Sequence, residues 1–225
     1  VLEFRHRFNY NAQHFVLKRE FIEQFNALGG IYQSPYPDFF SAVLIFYRAR
    51  NVVVLPQNSV VIGISPKSFG AYYFSDRQDE GYKFLDHEAI DSGVRNFVRE
   101  AFWPGDMNNT NWLISAEMAR RALMPCDLPP VDIERYHAIQ LVSLLRDKYW
   151  HGKALDKDIA AVKARLGTKE LILFEFLQAA LELTGKHSRG LLVPMLQAAE
   201  RSVQQYRDDY YTMLDIGQHK SIADA

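Results

Sequence analysis

The stretch PVDIERYHAIQLVSLLRDKYWHG, residues 130–152, decides how the rest of the chain is read. Pro130 suits a helix's first turn, where its missing N–H costs nothing. Ile133, Tyr136, Ile139, Val142 and Tyr149 recur at helical spacing and predict one buried stripe. Gly152 follows His151 directly and supplies a residue able to take the left-handed conformation that ends a helix. The segment predicts a helix over 130–151 with His151 as its last residue. There an imidazole meets the helix's negative end.

Similar patterns flank this helix on both sides. Apolar periodicity broken by Pro104-Gly105, Pro125, Pro129-Pro130, Gly152, Gly167 and Gly185 predicts further helices near 87–102, 115–123, 155–166, 169–184 and 188–215. Upstream the pattern is mixed. Residues 2–10 alternate, with Leu2, Phe4, His6, Phe8 and Tyr10 on one face, and read as a half-buried strand with a charged outer face. Gln13–Leu28 reads as a helix stopped by Gly29-Gly30. Phe39–Arg48 fits helix or strand, with Asp38 placed to cap a helix. Val52–Leu55 and Ser59–Ile64 read as a hairpin, and Ala71–Phe74 as a third strand. The fold class expected is α+β, mostly α: a small N-terminal strand and helix region over 1–85, then a helical bundle over 86–225.

Composition narrows the function classes. The chain has 225 residues, 48% hydrophobic and 24% charged, with a formal net charge of −1. A dedicated nonspecific nucleic-acid binder is more basic, so any nucleic-acid role needs a local cationic patch. Cys126 is the only cysteine. An intramolecular disulfide is excluded, which favours a reducing compartment such as the cytoplasm, and no neighbour in sequence activates the thiol. The longest apolar run, Phe39–Tyr47, is interrupted by Ser41 and too short for a bilayer, so no membrane association is expected.

Few segments carry chemistry. His87-Glu88-Ala89-Ile90-Asp91 places His87 and Asp91 four apart, as metal ligands on one helix face would be. No third ligand is evident, and Asp86, Glu88 and Asp91 are better read as acids complementing the start of a helix. Asn108-Asn109-Thr110 fits a glycosylation acceptor but lacks secretory context. No Gly-rich phosphate loop, serine elbow or paired-cysteine zinc pattern is present, so neither metal nor cofactor is expected.

The end of the central helix is different. Arg146-Asp147-Lys148-Tyr149-Trp150-His151, with an apolar helix before it and Gly152 after it, resembles the Arg-polar-x-x-x-His signature of the HEPN superfamily. The resemblance covers roughly residues 86–215 and leaves 1–85 without a counterpart. Asp147 stands where Asn is more usual. HEPN domains are helical bundles, many of them metal-independent endoribonucleases that act as homodimers in toxin–antitoxin, antiviral defence and CRISPR-linked systems. The resemblance implies that His151 moves a proton, that Arg146 holds the phosphate and that Asp147 orients one of them. RNA is the implied substrate, with an antitoxin or a larger complex as a further partner. Lys148, Lys153 and Lys157 add local positive charge suited to an RNA backbone.

Five residues on a regular helix turn through about 140°. Arg146 and His151 therefore cooperate only if the helix end deforms or a second copy completes the cleft. Two rival expectations stand beside the nuclease. One is a non-enzymatic scaffold or assembly subunit, including a viral or phage structural protein. The other is a degenerate HEPN-like domain that only binds RNA or a partner.

Overall fold

A computed structural model describes residues 15–53, 87–125 and 128–184, with isolated positions at 68, 71, 72, 77, 80, 83 and 85. The protein is mostly helical. The described residues form seven α-helices: α1 (Arg19–Glu23), α2 (Pro37–Arg48), α3 (Ser92–Ala101), α4 (Met107–Ala122), α5 (Ile133–His151), α6 (Asp156–Lys163) and α7 (Thr168–Thr184). Short 3-10 turns lie at Asn26–Leu28 and His87–Ala89. No strand occurs among the described residues. The strand expected at 2–10, most of the hairpin, the helix at 188–215 and Cys126 all lie outside them. Ala71 and Tyr72, expected in a third strand, are instead helical, their N–H groups bonding back to the carbonyl of Ser68 at 3.0 and 3.4 Å.

The chain forms two compact units. Among the described residues the first comprises 15–101 and 110–132, and the second comprises 102–109 and 133–184. No described helix is long and apolar enough to cross a membrane.

In the first unit, the helix expected over 13–28 contracts to α1 and one 3-10 turn. Five residues are too few to hold a continuous face. Of Phe15, Phe21, Ile22, Phe25 and Leu28, which recur at helical spacing, only Phe25 is buried, with Phe21 edge-on to it at 5.2 Å. The glycine stop is where the sequence places it: Gly29 has φ 86° and donates to the Asn26 carbonyl. Pro37 opens α2 because its ring presets a helical φ. Asp38 therefore sits inside the first turn, where its charge complements the helix dipole, and does not cap. Six consecutive residues of α2, Phe40–Ile45, are buried. Burial all round the helix explains why its sequence lacks a clear period. The core beneath it gathers Tyr36, Ile90, Val94 and Ile114, with Phe39 edge-on to Trp112 at 5.3 Å.

The 87–91 segment is a helix start. The Asp91 carboxylate accepts the Val94 N–H at 3.0 Å, capping α3, and the His87 ring lies edge-on to Tyr36. No group of potential metal ligands occurs among the described residues.

The second unit is built around α5, which packs against α6 and α7. Its core comprises Trp103, Leu144, Leu145, Ile159, Val162, Phe174 and Leu181. Each such side chain contributes about 1.5–3 kcal/mol on burial. The buried face of α5 is not the one its apolar periodicity predicts. Tyr136, Gln140, Ser143, Leu144 and Leu145 are buried, while Val142 is 45% exposed.

Candidate functional site

The buried polar face of α5 exists because a loop docks on it. Phe102-Trp103-Pro104-Gly105-Asp106 runs into α4. The Trp103 carbonyl accepts from Gln140 Nε2 at 3.1 Å and from the Tyr136 hydroxyl at 3.4 Å. Asn109 Nδ2 donates to Gln140 Oε1 at 3.0 Å, so both ends of the Gln140 amide are satisfied without water. The Trp103 ring stacks on His137, centroids 4.1 Å apart and 9° from parallel. Gly105 is obligatory here. Its φ is 151°, and a Cβ would stand 2.7 Å from the Gln140 carbonyl oxygen.

This docking brings Asp106 to the C-terminal half of α5. Asp106 Oδ1 accepts the Asn108 N–H at 2.9 Å and so caps α4, while Oδ2 lies 3.9 Å from Arg146 Nη2. Arg146 also turns to its neighbour. Its Nε and Nη2 both donate to Asp147 Oδ1, each at 3.2 Å. The other oxygen, Asp147 Oδ2, accepts from Lys153 Nζ at 2.9 Å. The main chain reinforces that link, because the Lys153 N–H donates to the Asp147 carbonyl at 3.2 Å. Partial burial disfavours the Asp147 carboxylate, but the Lys153 and Arg146 cations outweigh it and hold its pKa below the ordinary 3.8.

His151 is the last residue of α5 and is exposed, as its place before Gly152 predicts. Gly152 takes φ 68° and donates to the Lys148 carbonyl at 3.1 Å, a left-handed cap. No hydrogen bond or ion pair joins His151 to Arg146 among the described residues. The structure thus brings together Arg146, Asp147 and Lys153. The other cations are placed differently. Lys148 Nζ pairs with Asp156 at the start of α6 at 2.8 Å, which raises the lysine's pKa. Lys157 is exposed on α6. Tyr149 donates its hydroxyl to Glu182 on α7 at 2.6 Å, tying the end of α5 to the end of α7.

Two features escape a reading of the sequence. The Trp103–His137 stack joins residues 34 apart, and nothing local marks either one. Asp106 does have a local signal, an Asp after Pro104-Gly105 and before a helix, which is an N-cap pattern. Asp106 then reaches Arg146 through the fold. A cleft of about 320 Å³ in the first unit is lined by Phe25, Leu28, Arg48, Leu123 and Met124 among others, and holds no paired acid and base. Comparison with protein families, with curated proteins and with solved structures finds no match.

Proposed function

We propose that this chain is a metal-independent endoribonuclease of HEPN type, working in the cytoplasm as a homodimer in a toxin or phage-defence setting. The observation that carries the reading is the capped end of α5, which presents an exposed His151 at a helix terminus, about 1.4 turns beyond an Arg146 that two carboxylates hold in place. RNA supplies its own nucleophile. The 2′-hydroxyl loses its proton, the 2′-oxygen bonds to phosphorus, and the 5′-oxygen leaves and takes up a proton. His151 is suited to one of those proton transfers, and Arg146 to the charge that builds on the phosphoryl oxygens. The 140° between them is the reason a second copy belongs to the reading.

The purified chain should degrade RNA in the presence of EDTA. His151→Ala should lower the rate by about 10²–10⁴-fold, the usual contribution of a proton-transfer group. RNA left intact by wild-type protein at concentrations where it is dimeric would sink the reading. One observation favours an assembly subunit as a second reading: Ile172, Phe176 and Leu183 on α7 are 65%, 70% and 88% exposed, an apolar row of the kind a partner covers. On that reading His151→Ala changes nothing measurable.

A further inference from the structure

We propose that Arg146 and Lys153 form a two-cation seat for a phosphate oxyanion, and that Asp147 occupies this seat in the resting chain. The geometry is that of an occupied anion site. A guanidinium and an ammonium converge on one carboxylate, one cation to each oxygen, at 3.2 and 2.9 Å. Arg146, Asp147 and Lys153 have side chains 31%, 20% and 48% exposed, so a solute can reach all three.

The occupant is held in a way that permits exchange. Neighbouring residues on a helix do not face each other, so Arg146 must fold back to reach Asp147. Both of its donors then crowd on the single oxygen Oδ1. A guanidinium binds best when two parallel N–H groups meet two separate oxygens. A phosphate entering beside Arg146 offers that second oxygen and still leaves one for Lys153. Two positive charges meet the incoming group once Asp147 swings away. Asp106 does not compete for the seat, because its Oδ1 is committed to the cap of α4 and only Oδ2 approaches Arg146, at 3.9 Å. Asp106 is a positioning residue for the guanidinium. Lys148, one residue on, is already paired with Asp156 and is not part of the seat.

That the incoming anion is an RNA phosphodiester rests on the nuclease reading; the seat itself does not. Titration of the full chain with inorganic phosphate, followed by calorimetry or by ³¹P line width, tests the seat directly. Asp147→Asn keeps the side chain's size and removes its charge. It should bind phosphate at least about tenfold more tightly than wild type, the equivalent of about 1.4 kcal/mol. Adding Lys153→Ala to that variant should abolish the gain. Asp147→Ser repeats the measurement with a shorter side chain, and circular dichroism reports whether the α5 terminus is intact in each.

Equal phosphate affinity in wild type and in folded Asp147→Asn and Asp147→Ser proteins overturns the proposal. A parallel titration with a short oligoribonucleotide separates the two sources of phosphate. If RNA takes the seat, its affinity in Asp147→Asn rises above wild type, and the gain is lost with Lys153→Ala. A phosphate gain with no RNA cleavage by any variant leaves the seat standing and removes the nuclease. RNA cleavage with unchanged phosphate affinity does the reverse.

Discussion

Single residues in this protein are constrained by charge and by space, and the two constraints make different predictions. Glu117 on α4 is buried, and its carboxylate meets Arg120 Nε at 2.8 Å and Arg121 Nε at 2.7 Å. Burial alone would raise its pKa, but the two guanidinium groups prevail and set it below the ordinary 4.5. A carboxyl group lowered on folding stabilises the protein above its unfolded pKa and loses that contribution as the pH falls through the folded value. Glu117→Gln should therefore cost about 3 kcal/mol at neutral pH, the low end for breaking a buried pair, since both arginines are partly exposed. Urea melts at neutral and acidic pH check this. The gap between variant and wild type should narrow below pH 4.5, and a gap independent of pH would refute the pairing as its cause. The glycines separate conformation from space. Gly152→Ala meets no atom within 4 Å and should cost only the left-handed backbone penalty, about 1–2 kcal/mol. Gly105→Ala adds a collision with the main chain of Gln140 and should cost about 1–3 kcal/mol more. Equal midpoint shifts for the two variants in urea would show that the loop yields freely.

At the scale of elements, the sequence shows where helices stop more clearly than which face they bury. Gly29 and Gly152 end helices at the predicted residues because positive φ is a property of the glycine itself. The terminal placement of His151 was legible for the same reason. The buried face of α5 was not legible, because Gln140 looks like a solvent residue until the 102–106 loop is laid on it. A hydrophobic period assumes that polar side chains find water, and Gln140 finds Trp103 and Asn109 instead. The start of α4 was missed on similar grounds. The helix predicted over 115–123 begins at Met107, because Asp106 caps it and the polar Asn109 and Asn111 are buried. Of the candidate site, Arg146, Asp147 and Lys153 were visible as a charged helix end. Their convergence on one carboxylate was not, since it depends on the main chain turning at Gly152 to return Lys153 to Asp147.

At the scale of the whole molecule, the chain passes between its two units three times among the described residues. It leaves the first unit after Ala101, re-enters it at Thr110 and leaves it again after Asp132. The middle crossing falls inside α4, which begins at Met107 in one unit and continues to Ala122 in the other. A fragment starting at Pro130 would keep every residue of the α5 terminus but lose Trp103 and Asn109, and with them the bonds these residues make to Tyr136 and Gln140. Such a fragment should lack a cooperative urea transition, and one as sharp as that of the full chain would contradict this. Helix α4 thus has a consequence for how such a protein is inherited. A recombination event with a single crossover cannot hand on either unit alone, because each is written in the gene as separate stretches with part of the other between them. Neither unit travels as a cassette, so the α5 terminus and the residues that brace it pass to descendants together with the interrupting stretch of the first unit.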